Sequence, residues 1–334
     1  MTTVPSPAGP VVAWRPATLA DAPALSELFN ASKRADGMPD EVRSVDEITH
    51  ELEDPGTRLE ADSQVGLGAD GRPLAWGSVW CRITARHLAR AVVFGDVHPE
   101  ARRQGVGRAL LAWELARADE RLATELDPML PRRVDLYTSD VAEGRAALAR
   151  SAGMAPVRWF SKMTRSLTEP VAHAEVPPGL EMIAWADDRS DASLDALNDA
   201  WRDHWGYEPM PPEVWRYRTH DDAAFLAPAS RLAVDDDDVA GLVLCSEQAA
   251  QVGDEGRTAW LDLIAVRRAW RKRGVASALI AASLVALADE GFRTAALDVD
   301  SASPTGALGL YERHGFRVKR TETVYALERD AATG

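Results

Sequence analysis

An internal repeat constrains the fold of this chain more than any other feature. The segment RRQGVG at residues 102–107 recurs as RKRGVA at residues 271–276, about half the chain length later. Further landmarks recur at nearly the same separation: Gly77 with Gly241, and Gly153 with Gly315. A repeat this long indicates a duplicated domain and excludes a solenoid of short units. The length of 334 residues also suits two domains.

Both halves have the same order of predicted elements. Each begins with a short strand, a helix and a hairpin, continues with a strand, a loop and a long helix, and ends with a strand, a short helix and a closing strand. Residues 168–179, TEPVAHAEVPPG, lack apolar periodicity and predict a linker between domains at 1–167 and 180–334. The fold class expected is α/β (α+β), with a mostly antiparallel mixed sheet flanked by helices in each domain.

Charge and hydropathy exclude several classes of function. The net charge of −14 argues against nucleic-acid binding, which depends on cations that neutralise phosphates. The longest apolar run, residues 275–288, is too short to cross a bilayer and predicts a buried core helix. The N-terminus lacks the pattern of a secretory signal, so a cytoplasmic protein without membrane partners is expected. Cys81 and Cys245 lie in apolar, strand-like runs and predict buried thiols, and no metal-ligand spacing is present.

A basic loop between a strand and a helix predicts an anion site in each half. Unpaired N–H groups and the helix dipole attract anions to such a helix N-terminus, and a glycine there allows a phosphate to approach closely. The alternative to an anion site is an ordinary basic turn in solvent. The recurrence of the loop at the corresponding position of the other half makes that alternative less favoured. The predicted pyrophosphate-binding residues are Arg271, Lys272, Arg273, Gly274, Val275, Ala276 and Ser277, and in the first half Arg102, Arg103, Gln104, Gly105, Val106 and Gly107.

A second glycine-rich segment has a different interpretation. Gly66, Gly68 and Gly71 match the dinucleotide pattern G-x-G-x-x-G. That pattern requires a helix after the glycines, whereas Arg72-Pro73 and a strand follow here. The segment therefore predicts a hairpin turn.

The loop motif R-x-x-G-x-G/A, followed by LYERHGF at residues 310–316, resembles the GNAT superfamily of N-acetyltransferases. The second half carries both motifs, and the first half carries the loop. The duplicated plan is similar to that of the tandem GNAT enzymes of the mycothiol synthase type. The resemblance implies acetyl-CoA as acyl donor and direct attack of an amine on its thioester.

The resemblance also implies roles for individual residues. Backbone N–H groups of Ile264, Ala265 and Val266, on a strand that splays from its neighbour, would polarise the thioester carbonyl. Tyr311 would protonate the departing thiolate, and the alternative is an amphipathic core residue. The family often has an asparagine near the start of the last helix that contacts the cofactor. This chain has Ser303 in its place, whose hydroxyl could replace that contact. Ala149 stands opposite Tyr311 in the first half, which is therefore expected either to bind CoA without catalysis or to be structural.

The general base and the acceptor site remain open to alternatives. Period-two alternation would put Asp262 on one strand face with Ile264 and Val266, and Asp298 with Asp300 on the next strand. Each carboxylate could be the base or an ordinary strand-end group in solvent. The acceptor site is expected after the first helix of the second half, where aromatic and acidic groups suit a cationic amine. Its predicted residues are Trp201, Asp203, His204 and Trp205, with Asp300 from the sheet; the alternative is an aromatic-stapled helix end.

Three functions follow from these interpretations. The leading one is acetylation of a primary amine on a small molecule by the second domain, in a monomer or homodimer. The second is acetylation of a protein N-terminus or lysine. The third is an acyl-CoA-binding regulatory protein without turnover, which the tyrosine of the second half disfavours and Ala149 of the first half would suit.

Overall fold

The computed structural model describes residues 5–81, 85–247, 256–302 and 306–329. Contacts divide the chain into two compact units: Met1–Trp159 with Glu322–Gly334, called unit 1, and Phe160–Thr321, called unit 2.

The elements follow one another in the order that the repeat predicts. In the first half they are β1 (Ala13–Arg15), α1 (Ala22–Ala35), α2 (Val45–Leu52), α3 (Leu59–Asp62), β2 (Ser63–Leu67), β3 (Pro73–Cys81), β4 (Ala89–Val97), α4 (Val106–Thr124), β5 (Arg132–Ser139), α5 (Glu143–Ser151) and β6 (Ala155–Ser166). In the second half they are β7 (Glu181–Ala184), α6 (Ser190–Ala200), α7 (Pro212–Thr219), β8 (Arg231–Asp235), β9 (Asp238–Glu247), β10 (Thr258–Val266), α8 (Val275–Asp289), β11 (Thr294–Asp300), α9 (Ala307–Arg313) and β12 (Arg317–Arg329).

Each unit contains a mixed sheet whose neighbouring strands are mostly antiparallel. The strand order is β1-β2-β3-β4-β5-β12 in unit 1 and β7-β8-β9-β10-β11-β6 in unit 2. The parallel pairs among these are β4 with β5 and β10 with β11. In unit 1, β12 pairs with β5 from Glu322↔Ser139 to Arg329↔Arg132. In unit 2, β6 pairs with β11 from Phe160↔Asp300 to Ser166↔Thr294.

The closing strands are therefore exchanged between the repeats. The sequence-based limits 1–167 and 180–334 follow the order of the chain, whereas each packed unit takes its last strand from the other repeat. The apolar alternation of a strand determines which face is buried, but an open sheet edge accepts any strand with a compatible pattern. Local sequence patterns therefore do not specify this exchange.

Helices cover both faces of each sheet, which confirms the predicted fold class. In unit 1, α4 packs on one face through Leu110, and Leu25 of α1 packs on the other. In unit 2, α8 packs through Leu279, and Leu197 of α6 covers the opposite face. The predicted core helix at residues 275–288 corresponds to α8. Cys81 and Cys245 are buried free thiols, as expected.

The predicted hairpin turn is also confirmed. The Gly68 N–H donates to the carbonyl of Arg72, and the Gly71 N–H donates to the carbonyl of Gly68, each at 2.9 Å. Strand β3 then begins at Pro73. Over the described ranges, none of the helices combines the length and apolarity needed to cross a membrane.

Candidate active site

The two basic loops have the same backbone conformation. In unit 2, Lys272 and Gly274 have φ angles of 60° and 90°; in unit 1, Arg103 and Gly105 have φ angles of 61° and 88°. Positive φ at the last loop residue favours glycine, which has no Cβ to oppose it. The repeated motif therefore encodes one repeated loop structure.

The start of α8 can hold an anion. Gly274 is the N-cap of the helix and has no side chain that could accept from the first-turn N–H groups. The Ala278 N–H donates to the Gly274 carbonyl at 3.0 Å and begins the hydrogen bonds of the helix. A Cβ built at Gly274 would meet one atom within 4 Å, Pro177 Cγ at 4.0 Å. The space beside Gly274 is therefore open, and a helix N-terminus with unsatisfied first-turn N–H groups fits the phosphates of a nucleotide-containing acyl donor.

The first arginine of each loop holds the loop in place, and its role at the phosphates stays a prediction. Arg271 donates to Asp203 at 2.7 Å and to the Ala200 carbonyl at 2.6 Å, at the end of α6. Arg102 likewise donates to Asp36 at 2.6 Å and to the Ser32 carbonyl at 3.1 Å, near the end of α1. Both guanidinium groups join a loop to the end of the first α-helix of the same repeat.

The other loop side chains are mostly exposed. Lys272 extends into solvent, and the guanidinium carbon of Arg273 lies 4.9 Å from the centroid of the Trp270 ring. In unit 1, Gln104 donates to the Glu100 carbonyl at 2.9 Å. Lys272 and Arg273 therefore remain the cations of the unit 2 loop that are predicted to reach a phosphate.

Asp203 is an ion-pair partner of the loop arginines, and its place in the acceptor site stays a prediction. It accepts from Arg268 at 2.5 Å as well as from Arg271, and hydrogen bonds from these two arginines lower its pKa. The Trp201 indole N–H donates to the Ile264 carbonyl at 3.4 Å, and its ring stacks on His204 with centroids 4.6 Å apart. The predicted acceptor segment thus also supports the loop and the strand before it.

Strands β10 and β11 separate in the middle of unit 2, as the resemblance implies. Their parallel pairing ends at Trp260↔Ala296. On its other edge, β10 remains paired with β9 as far as Val266↔Gly241. Backbone groups of residues 264–266 on the β11 side therefore face a split in the sheet, where an acyl-pantetheine could lie.

A bulge in β10 corrects the predicted face of Asp262. The β9–β10 register shifts between Leu261 and Leu263, so Asp262 is the extra residue. Leu261 and Ile264 both pack in the α8 cluster, whereas Leu263 packs in the α6 cluster. The two-residue period is broken at this point, and Asp262 does not share a face with Ile264 and Val266.

The surroundings of Asp262 suit a proton acceptor. The Asp262 side chain is exposed to solvent, but neighbouring protein atoms remove part of the hydration of its carboxyl group. This loss of water raises its pKa to about 6, against the opposing effects of a hydrogen bond with Ser246 and the charge of Arg218. A carboxylate with this pKa is mostly ionised at neutral pH and basic enough to take a proton.

Asp298 and Asp300 share the α6-side face of β11, as predicted. The intervening Val299 packs in the α8 cluster. Asp298 is exposed, whereas Asp300 is 6% exposed and accepts the Ala302 N–H at 3.0 Å. Asp300 thus helps to shape the end of the strand. Ser303 lies outside the described residues.

Tyr311 lies in the short helix α9, after β11. It is 8% exposed, it packs edge-on against Phe316, and burial raises its pKa to about 12. The phenol therefore stays protonated at neutral pH. The helix ends alike in both repeats: the Phe316 N–H donates to the Tyr311 carbonyl and the Met154 N–H to the Ala149 carbonyl, each at 3.1 Å. The structure thus supports the alignment of Ala149 with Tyr311.

Unit 1 differs from unit 2 around the corresponding strand. Strand β4 pairs with β3 without a register shift, and its pairing with β5 ends at Val93↔Leu136. Beyond that point Arg145 of α5 donates to the Gly95 carbonyl at 2.5 Å. Glu114 lies behind Gly95 with 2% exposure, and burial raises its pKa to about 8. A guanidinium group thus binds a backbone acceptor at the place where the unit 1 strands separate.

A cavity of about 140 Å³ lies beside this region of unit 1. Its walls include Lys33, Arg43, Asp96, Tyr137 and Glu322. Lys33 is engaged with Asp96 at 3.3 Å. The cavity wall is therefore rich in charge, and Glu322 reaches it from the exchanged strand β12.

Sequence reasoning missed two residues of unit 2, Phe160 and Lys162. Both lie on β6, which the repeat assigned to the first domain. The Phe160 ring lies 6.4 Å from that of Trp205, and the Lys162 ammonium lies 4.7 Å from the Trp260 ring centroid. Their alternation predicted a strand, but it carried no signal that the strand belongs to the other unit.

Comparison with known proteins agrees with this geometry. Residues 191–316 match the acetyltransferase (GNAT) family. The chain is 27% identical over 303 residues to a mycothiol acetyltransferase of Saccharopolyspora erythraea, covering 86% of this chain and 96% of that protein. It is 28% identical over 238 residues to the mycothiol acetyltransferase of Thermobispora bispora, covering 69% of this chain and 73% of that protein.

Solved structures share the fold over nearly the whole chain. A GCN5-related N-acetyltransferase from Sphaerobacter thermophilus has a TM-score of 0.76 at 26% identity, covering 99% of this chain and 100% of its own. A tandem GNAT protein from the clavulanic acid biosynthesis pathway has a TM-score of 0.67 at 16% identity, covering 96% and 99%. Residues 191–316 thus match the GNAT acetyltransferase family, and the duplicated loops, the divided strands and these similarities show a tandem GNAT fold that resembles mycothiol acetyltransferases.

Proposed function

We propose that unit 2 transfers the acetyl group of acetyl-CoA to the primary amine of a small molecule, and that unit 1 does not catalyse transfer. The observation that carries this proposal is the difference between the two strand separations. In unit 2 a bulge presents Asp262 and the motif supplies Tyr311, whereas unit 1 has an unshifted β4, Ala149 and the Arg145 contact. The proposed division of the sequence into repeats remains 1–167 and 180–334, joined by 168–179.

The residues of unit 2 fit the binding of acetyl-CoA, which supplies an activated acyl group. The α8 N-terminus would hold the pyrophosphate, with Lys272 and Arg273 adding charge. Backbone N–H groups among Ile264, Ala265 and Val266 would donate to the thioester carbonyl, whose oxygen gains negative charge during attack.

Two side chains would move the protons. Asp262 would take a proton from the acceptor ammonium, directly or through water, leaving a neutral amine as nucleophile. The amine nitrogen bonds to the carbonyl carbon as the carbon–sulfur bond breaks. Tyr311 would then donate its proton to the departing sulfur. The second proton of the nitrogen would leave to solvent, and solvent would return a proton to the tyrosinate, so that the products are a neutral amide and the thiol of CoA. Asp298 is the alternative base on the neighbouring strand.

A screen of amines with acetyl-CoA, monitored by thiol release, tests this function. We expect at least one small primary amine to give saturable release with acetylated amine as product. Release with protein lysines or N-termini alone would favour the protein-acetyltransferase alternative. CoA binding without release for any amine or peptide would favour the regulatory alternative.

A further inference from the structure

The backbone of Gly95 faces the gap between β4 and β5 in unit 1. The His98 N–H donates to the Leu74 carbonyl of β3 at 2.8 Å. Hydrogen-bonded pairs alternate along an antiparallel ladder, and β4 pairs with β3 without a register shift. Counting back from His98 in steps of two, Gly95 lies between two residues that bond to β3. Its N–H and carbonyl therefore point away from β3, toward β5.

The Arg145 guanidinium group occupies this gap. The pairing of β4 with β5 ends at Val93↔Leu136, before Gly95. Arg145 lies in α5, which follows β5, and its Nη1 donates to the Gly95 carbonyl at 2.5 Å. Since that carbonyl points toward β5 and the donor comes from the β5 side, the guanidinium group lies between the two strands.

Carboxyl groups from both faces of the sheet surround the guanidinium group. Asp96 faces α1, where it accepts from the Ser32 hydroxyl at 2.7 Å. Burial raises the pKa of Asp96, but the charges of Lys33 and Arg145, with hydrogen bonds, outweigh burial and lower it. Glu114 belongs to α4 on the opposite face, and the charge of Arg145 opposes the burial that raises its pKa to about 8. Arg145 thus acts on groups of both faces, as expected of a side chain that lies within the sheet.

Unit 2 has a small residue at the position of Arg145. The helix ends that align Ala149 with Tyr311 also align Gly144 with Gly306. By the same repeat, Ala307 stands opposite Arg145, Ser283 opposite Glu114 and Ala265 opposite Asp96. A methyl group at the start of α9 is too short to reach across the gap between β10 and β11. Unit 2 therefore lacks both the guanidinium group and the two carboxyl groups beside it.

The carbonyl that corresponds to Gly95 also has a different partner in unit 2. The Ile264 carbonyl accepts from the Trp201 indole at 3.4 Å, and that indole packs in the α6 cluster on one face of the sheet. The donor in unit 2 thus approaches from a face, whereas Arg145 enters from the β5 side.

We propose that Arg145 keeps the acyl-pantetheine arm of acetyl-CoA out of unit 1, so that the chain binds one acetyl-CoA, in unit 2. The loop at residues 102–107 has the conformation of its counterpart, but the space for the arm holds the guanidinium group. The inference rests on the proposed function, because it takes the gap between β10 and β11 as the place of the arm. It makes Arg145 the residue that determines which unit accepts the donor.

Calorimetry of the full chain with acetyl-CoA tests the inference. We expect the wild type to bind one acetyl-CoA and Arg145→Ala to bind two. In a Gly274→Val background, which weakens the unit 2 site, Arg145→Ala should raise the affinity for acetyl-CoA about tenfold or more. Adenosine 3′,5′-bisphosphate, which lacks the pantetheine arm, should show no such gain. Arg150→Ala is the matched control on the same helix, where the Arg150 guanidinium group donates to the Tyr325 hydroxyl at 2.8 Å, and it should bind one acetyl-CoA.

A second variant covers the loss of charge beside the buried carboxyl groups. If Arg145→Ala does not fold, the variant with both Arg145→Ala and Glu114→Gln replaces it, because a buried amide needs no countercharge.

The outcomes separate this inference from the proposed function. Two acetyl-CoA molecules bound by the wild type, or no gain in a folded Arg145→Ala variant, would overturn the role of Arg145. An equal gain for the bisphosphate or in Arg150→Ala would overturn the exclusion of the arm. If the wild type binds no acetyl-CoA, the proposed function fails; one site gained in Arg145→Ala would then still support the inference, and none gained would overturn it.

Discussion

At the scale of single residues, the most specific claim concerns Tyr311. Tyr311→Phe keeps the ring against Phe316 but removes the proton. We expect kcat to fall about 10²- to 10⁴-fold, the usual contribution of general acid–base catalysis, with acetyl-CoA affinity nearly unchanged. Single-turnover measurement of acetyl transfer isolates the chemical step. Wild-type kcat in a folded variant with chemistry rate-limiting would rule out this role.

The role of Asp262 predicts a definite pH dependence. Its pKa is raised to about 6, so the base form is lost as pH falls through that value. The pH profile of kcat/KM in the wild type should therefore decline below about pH 6. Asp262→Asn should lower kcat about 10²- to 10⁴-fold and remove that decline. If Asp298→Asn removes it and Asp262→Asn does not, the base is Asp298.

Residue types and spacing in the sequence predicted where the chemistry lies but not every partner. The motif located Tyr311 and the loop, because neighbouring residues are enough to specify the end of a helix and a loop glycine with positive φ. The ion pairs of Asp203 with Arg268 and Arg271 were not predicted, since these residues are distant in sequence. Composition made Asp203 a candidate for substrate binding, and tertiary packing adds two arginine partners that the sequence did not predict.

At the scale of elements, we predict that the conformation of the loop before α8 determines the affinity of the protein for CoA. Gly274→Val places a branched side chain at φ 90°, a strained conformation, and fills the space beside the first-turn N–H groups. We expect at least a tenfold loss of CoA affinity in calorimetry, about 1.4 kcal/mol or more. The measurement is made in a Gly105→Val background, so that any binding by unit 1 is removed. Unchanged affinity in the folded double variant would contradict the proposed phosphate site.

Element boundaries followed from apolar periodicity, but the bulge did not. Alternation predicted β10 and β11 closely, because each face packs against a helix. One additional residue at a bulge reverses the alternation of side chains between the two faces of the sheet. A bulge is recognised from the pairing of β10 with β9, and the sequence of β10 alone does not contain that pairing. The predicted position of Asp262 was therefore close in sequence and wrong in face.

At the scale of the whole molecule, the repeat predicted two similar folds but not the exchange of β6 and β12. Both strands have the pattern of a closing strand, and their partners depend on which sheet edge is open. The exchange makes each unit depend on residues from both repeats. Unit 2 thus includes Phe160 and Lys162, which a division at residue 167 assigns to the first domain.

The assignment of acetyl transfer to unit 2 is tested most directly by comparing the turnover of two matched loop variants. Gly105 and Gly274 have φ angles of 88° and 90°, and a Cβ at either would meet its nearest atom at 3.9 or 4.0 Å. Valine at each position therefore imposes a similar strain on its own loop. With the acceptor from the screen, we predict that Gly274→Val lowers acetyl-CoA-dependent kcat/KM at least tenfold and that Gly105→Val leaves it within about twofold. Comparable losses in the two folded variants, or a larger loss in Gly105→Val, would contradict the assignment of acetyl transfer to unit 2.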